Sequence, residues 1–260
     1  MKLTLQDKNK LDLLIALFQL LKNCSTVLKF ECHKDYIVIQ GMDKSHVCLF
    51  FTKINSNWFT SYINEESIDI IIDSFSIFMV LSKIQESQIL SIEYNKNEDM
   101  LDVDVLFQEQ NDKKNKKGEY NCYYKLPIID LEQDNYQIPH VEYDAEFSIN
   151  SKQFHDLISQ LGIFGDVLNI VCNENEINLE SSGENGKMKV AIVIDDLNEF
   201  SISEGENIDL SFSLQYILKM CITTKLSKNV DIGVSNEFPL QIKYDLGEDC
   251  SCLFYIAPKI

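Results

Sequence analysis

The chain is predicted to be an α+β protein of two domains, each built from the same helix-plus-antiparallel-sheet unit. Three observations predict this. The sequence repeats itself at an offset near 140 residues. Each repeat reads in one order: helix, alternating strands, helix, alternating strands. Between the repeats lies an acidic, proline-containing stretch with neither apolar period, which reads as a linker. The expected bounds are 1–128 for the first domain, 129–143 for the connector and 144–260 for the second domain.

The repeat is visible in five segments kept in the same order. Val27-Leu28-Lys29-Phe30-Glu31-Cys32 faces Val167-Leu168-Asn169-Ile170-Val171-Cys172. Upstream, Leu14, Leu17 and Leu21 face Phe154, Leu157 and Leu161. Downstream, Ser74-Phe75-Ser76-Ile77 faces Ser211-Phe212-Ser213-Leu214, with a small drift in offset. Leu101, Val103, Val105 and Phe107 face Leu240, Ile242, Tyr244 and Leu246. Cys122-Tyr123-Tyr124-Lys125-Leu126 resembles Cys252-Leu253-Phe254-Tyr255-Ile256.

The first helix of each half is read from apolar residues at helical spacing: Leu11, Leu14, Ile15, Phe18 and Leu21, then Phe154, Leu157, Ile158 and Leu161. Alternation marks strands at Tyr36–Ile39 and Lys187–Ile192. A second helix is expected at 73–85 and at 212–224. The loop from Gln108 to Gly118 contains Lys113-Lys114-Asn115-Lys116-Lys117 and reads as a solvated hairpin tip rather than a targeting signal.

Apolar residues make up 45% of the 260-residue chain, enough to bury a sizeable core. No run of 18 apolar residues suggests a membrane span. Met1–Asp7 turns charged at once and lacks a secretory apolar stretch, so an intracellular protein is expected. The eight cysteines form no C-x-x-C pair and mostly sit in apolar strand-like runs, so they read as reduced core thiols. The nucleotide-binding, zinc-protease and hydrolase motifs are missing, and His33, His46, His140 and His155 share no ligand spacing. Asp195-Asp196 reads as a polar turn rather than a metal site. The expectation is a non-enzyme with no catalytic residue, cofactor or metal.

Two segments resemble one known family. Gly41-Met42-Asp43-Lys44-Ser45-His46-Val47-Cys48-Leu49 resembles the M-D-S-S-H-V-x-L stretch of the proliferating cell nuclear antigen family, and Tyr255-Ile256-Ala257-Pro258-Lys259-Ile260 resembles its closing Y-L-A-P-K-I. Ile138-Pro139 with Glu142-Tyr143 matches the I-P-x-x-E-Y end of that family's connector, and Phe238-Pro239-Leu240 its V-P-L. The resemblance implies a two-domain DNA clamp (processivity fold) with helices lining the hole of a ring. It implies a polymerase processivity factor that encircles duplex DNA without reading sequence, held topologically. It further implies a homotrimer, docking of DNA polymerase, clamp loader and other clamp-motif proteins for replication and repair, and work in a nucleus, or at a viral replication site if the gene is viral. Glu119–Leu126 and Gly186–Ile194 are the edges expected to pair between subunits.

By the same resemblance, a partner peptide is received by Met42, His46, Val47, Leu49, Ile138, Pro239, Tyr255, Ala257, Pro258 and Ile260. Taken singly, Met42 and Leu49 read as well as core, and His46 as a turn residue. Tyr136 stands where the family usually has leucine. The expected DNA-facing residues are Lys8, Lys10, Lys22, Lys83, Lys152, Lys219 and Lys225.

The formal net charge of -18 argues against a general nucleic-acid binder. A ring, however, needs a basic hole only. The four expected helices hold six lysines and three aspartates, so the rest of the chain carries about -21. The contrast is thin, because Met79, Asp156, Ser159 and Ile222 fill other channel positions of the family. Two alternatives stay open: a subunit of a heterotrimeric checkpoint-type clamp, and an acidic intracellular enzyme with a cysteine nucleophile. The second requires an exposed cysteine of low pKa.

Overall fold

The computed structural model describes residues 1–85, 87–96, 98–107, 120–131, 135, 136, 138 and 141–259. The lysine-rich tip at 113–117, Glu119, Pro139, His140 and Ile260 fall outside the described residues.

The first half of the chain runs β1 (Lys2–Leu5), α1 (Lys8–Cys24), β2 (Val27–Cys32), β3 (Tyr36–Met42) and β4 (Cys48–Asn55). It continues with β5 (Ser61–Ile63), β6 (Ile68–Asp73), α2 (Ser74–Leu81), β7 (Gln88–Tyr94), β8 (Met100–Phe107) and β9 (Cys122–Pro127). The second half runs β10 (Ala145–Asn150), α3 (Ser151–Leu161), β11 (Val167–Cys172), β12 (Ile177–Gly183) and β13 (Gly186–Ile192). It ends with β14 (Glu199–Ile202), β15 (Ile208–Ser213), α4 (Leu214–Met220), β16 (Asn229–Val234), β17 (Leu240–Gly247) and β18 (Cys250–Ile256). Element for element, the second half repeats the first. Each half even places one 3₁₀ turn after its fourth strand, at Ser56–Trp58 and Ile194–Asp196. The second of these holds Asp195 and Asp196, the polar turn expected from the sequence.

Two compact units form. The first holds Met1–Gly41, Thr52–Asn135 and Gly247–Cys250, and the second holds Met42–Phe51, Tyr136–Leu246 and Ser251–Ile260. Strand β4 is therefore divided between them.

In the first unit, one antiparallel sheet has the order β5-β1-β7-β8-β9, and Thr52–Asn55 of β4 leads a second set, β3-β2-β6. Helix α1 packs on α2. The Asp7 side chain caps α1 by accepting the Lys10 N–H at 2.9 Å. Leu11, Leu14, Leu17, Phe18 and Leu21 form its buried stripe. The fully buried Leu5, Leu17, Leu28, Ile39, Ile54 and Trp58 fill this core.

The second unit repeats both sheet orders. β14-β10-β16-β17-β18 corresponds to the five-stranded sheet, and β13-β12-β11-β15 to the other. Here β18 has a further neighbour, Cys48–Phe51 of β4. Phe50, Phe212, Tyr244 and Phe254 are its largest fully buried side chains.

The second helix of each half is shorter than the sequence predicts. α2 ends at Leu81, where the Ser82 N–H bonds the Phe78 carbonyl, and Lys83 and Ile84 close a tight turn. α4 ends at Met220. The β-branched Ile222, Thr223 and Thr224 that follow are poor helix continuers. Lys83 thus lies past its helix end, and Lys225, expected just past the last helix, lies farther from it.

Candidate functional site

An apolar cavity of about 210 Å³ opens on the second unit. Eight of the ten residues expected in a peptide site line it: Met42, His46, Val47, Leu49, Ile138, Pro239, Tyr255 and Ala257. Pro258 is exposed and is not among the lining residues. Ile260 lies outside the described residues. Val141, Tyr143 and Phe238 complete the wall and were not anticipated. A signal existed for two of them: Val141 and Tyr143 continue the period-2 pattern of the buried Ala145, Phe147 and Ile149 backwards from β10. Tyr143 meets Phe238 edge-on at 6.5 Å between ring centroids. Gly233 makes room for it, since a Cβ there would lie 2.8 Å from the Tyr143 ring.

One carboxylate shapes the rim of this cavity. Asp43 Oδ1 accepts the N–H groups of Val47 at 2.8 Å and Cys48 at 2.7 Å. Its Oδ2 accepts the Ser45 N–H at 2.9 Å and the Tyr216 hydroxyl at 2.7 Å. Burial alone would raise the Asp43 pKa. The Cys48 N–H, the Tyr216 hydroxyl and the Ser45 and Val47 N–H groups outweigh it and bring the group down to about 2. The turn so held places His46 in the left-handed region, φ 57°, which histidine tolerates better than a branched residue does. Val47 then turns its carbonyl to the Ala257 N–H at 2.9 Å, joining the C-terminal segment to the rim. Tyr216, on α4, gives its one proton to Asp43 and accepts from the Ser45 hydroxyl, whose Oγ lies 3.0 Å away. Neither Asp43 nor Tyr216 was singled out from sequence.

The seven lysines fall into distinct environments. Lys10 is engaged: its ammonium donates to the Trp58 carbonyl at 2.9 Å and pairs with Glu248 at 2.8 Å. Its charge is therefore already balanced. Lys22 stands over the Phe78 ring at 4.2 Å, and Lys219 over the Tyr216 ring at 5.2 Å. Lys8, Lys83, Lys152 and Lys225 are exposed. With their observed bounds the four helices carry five lysines and two aspartates, so the small positive excess survives the shortened helices.

The cysteines give nucleophilic chemistry no support. Seven of the eight are buried. Burial pushes Cys32 and Cys221 up to about 12 and Cys172 to about 11. Cys122 alone is half-exposed, on β9. No group of three His, Cys, Asp or Glu side chains among the described residues could hold a metal. No described helix is long and apolar enough to cross a membrane.

Two of the strands expected to pair between subunits stand at sheet ends. β9 ends the five-stranded sheet and β13 ends the four-stranded one. Along β9 the exposed Tyr123, Lys125 and Pro127 alternate with half-buried neighbours. Tyr123 is 69% exposed, an unusual state for a large aromatic ring on a strand.

Comparison with known proteins agrees with the two-part organisation of the chain. The family model for the proliferating cell nuclear antigen N-terminal domain matches residues 6–135, and the model for the C-terminal domain matches residues 137–259. Proliferating cell nuclear antigen of Chaetomium thermophilum is 28% identical over 250 residues, covering 94% of this chain and 92% of that one. Proliferating cell nuclear antigen 2 of Plasmodium falciparum is 26% identical over 253 residues, with 94% of each covered. The Saccharomyces cerevisiae protein is 27% identical over 243 residues, covering 92% and 91%.

Proposed function

The chain belongs to the proliferating cell nuclear antigen family and is a DNA sliding clamp serving as a polymerase processivity factor, and from that premise we propose how it assembles, docks partners and meets DNA. Three copies close head-to-tail, with β9 of one copy paired to β13 of the next. One observation carries this. The repeat makes β18 the counterpart of β9 and β4 the counterpart of β13, and β18 and β4 are neighbours within the chain. The remaining pair, β9 and β13, are edges. A heterologous contact of this kind must close, or it grows a filament. Unpaired edges invite aggregation unless something covers them. Joining β9 to β13 repeats a junction that the chain already makes once.

The apolar cavity receives the aromatic and aliphatic anchors of a short partner peptide, carried by polymerase, clamp loader and other clamp-motif proteins. Its lining is aliphatic and aromatic, and backbone groups of the rim and C-terminal segment are at hand for hydrogen bonds. The helices face the hole, where Lys8, Lys22, Lys152 and Lys219 make weak, salt-sensitive phosphate contacts. Retention on DNA is topological. The family's clamps are not enzymes, and we assign this chain no catalysis. Its place of work is the nucleus, or a viral replication site if the gene is viral.

Solution mass and a peptide assay test the reading. The wild type should run as a trimer, and Tyr123→Asp should shift it toward monomer. A stable wild-type monomer would sink the homotrimer and favour a mixed ring. Leu49→Glu places a charge on the cavity wall and should abolish binding of a generic clamp-interacting peptide without changing the mass. Unaltered peptide affinity would remove the cavity as the docking site.

A further inference from the structure

Lys22 closes α1 and Phe78 lies in the middle of α2, and both belong to the first unit. The Lys22 ammonium stands 4.2 Å from the centre of the Phe78 ring. Among the described residues, Lys22 has no carboxylate partner. Lys10, on the same helix, has one in Glu248. The two modes of holding a lysine differ in one respect. A carboxylate fixes the ammonium and cancels its charge. An aromatic face fixes it and leaves the charge in place. That difference weighs heavily in a chain of net charge -18.

α2 itself contains no cation: its residues are Ser-Phe-Ser-Ile-Phe-Met-Val-Leu. Beside an α1 lysine, such a helix contributes to a basic surface only through what it does to that lysine. A free lysine gives up much rotamer freedom when it settles on a phosphate. A ring that already confines the ammonium removes part of this cost before DNA arrives. In the second unit a lysine also stands over a ring, but within one helix: Lys219 lies 5.2 Å from the ring of Tyr216, three residues earlier on α4.

We infer that Phe78 is a positioning residue, whose ring holds the Lys22 ammonium for contact with a DNA phosphate while leaving its charge uncancelled. Tyr216 does the same for Lys219. This rests on the proposal that the helices face duplex DNA.

The test is binding of a short labelled linear duplex to the assembled ring, followed by fluorescence anisotropy over a range of salt. Lys22→Ala should weaken binding and lower the salt slope by about one ion per subunit contact. Phe78→Leu should weaken it about two- to fivefold with the slope unchanged, because the charge stays. Phe78→Tyr keeps a π face and should restore wild-type binding. Solution mass and thermal midpoint check assembly, and Phe78→Met is the second apolar replacement should leucine fail to assemble. Wild-type affinity in Phe78→Leu beside a weakened Lys22→Ala would overturn the role of the ring and leave the DNA face intact. So would equal losses in Phe78→Leu and Phe78→Tyr. Wild-type affinity in Lys22→Ala would overturn the assignment of Lys22 to DNA and the inference with it.

Discussion

Asp43→Asn is the sharpest test of how the cavity rim is held. The substitution keeps size and removes charge. One Asn oxygen still accepts from Val47 and Cys48. The amide nitrogen replaces Oδ2 and brings a donor to face the Ser45 N–H, itself a donor. The Tyr216 hydroxyl can rotate and accept instead. The magnitude follows from the titration of Asp43, which lies near 2 in the folded chain against an ordinary 3.8. That depression is worth about 2 kcal/mol of stability. Asp43 sits at the rim of the cavity, where solvent screens part of this, so the figure is an upper bound. The opposed donors add a further cost, for a total of at most about 2–3 kcal/mol at neutral pH. A group with a depressed folded pKa stabilises above its unfolded value and loses that contribution as pH falls through the folded one. The gap between wild type and variant should therefore be full at pH 7 and shrink between about pH 4 and pH 2. Urea unfolding at both ends of that window measures it. Peptide affinity at pH 7 should fall in parallel, because His46 and Val47 lose their fixed positions. A gap that does not change with pH, or one below about 0.5 kcal/mol at pH 7, would refute the reasoning.

Other substitutions probe the same wall and the core behind it. Gly233→Ala drives a Cβ to 2.8 Å from the Tyr143 ring, so it should cost about 1–3 kcal/mol of stability and weaken peptide binding together, by unfolding and by titration calorimetry. The Tyr143 hydroxyl is buried without a hydrogen-bond partner among the described residues, so Tyr143→Phe should leave stability unchanged or raise it by up to about 1 kcal/mol. A clear loss would mean that the hydroxyl is bonded in solution. Native alkylation followed by mass spectrometry should label Cys122 first. The seven buried cysteines should react only on unfolding, and fast labelling of any of them would contradict the packing.

The duplication was legible because it is written in apolar spacing, which survives when exact residues do not. Leu14, Leu17 and Leu21 against Phe154, Leu157 and Leu161 preserve a helical stripe, and the stripe is what burial selects. Helix ends were less legible. The stretches 73–85 and 212–224 keep apolar residues to their last turn, with Ile84 and Ile222 beyond the true ends, so periodicity gives no stop, and capping at Ser82 and Cys221 decided instead. The cavity was largely legible because six of its eleven lining residues come from two compact motifs, Met42–Leu49 and Tyr255–Ala257. What holds those motifs was not. The chain has 41 acidic residues, so Asp43 carries no mark of its own. Its importance lies in three turn N–H groups that gather on it only once the turn forms, and in a bond to Tyr216 that spans 173 positions. The company of Lys10 was hidden for the same reason: its partners Trp58 and Glu248 lie 48 and 238 positions away, and only folding brings them to it. A helical lysine read from sequence is a charge of known sign and unknown company. In a chain this acidic, the company decides whether that charge is spent on a carboxylate, as at Lys10, or kept on a ring, as at Lys22.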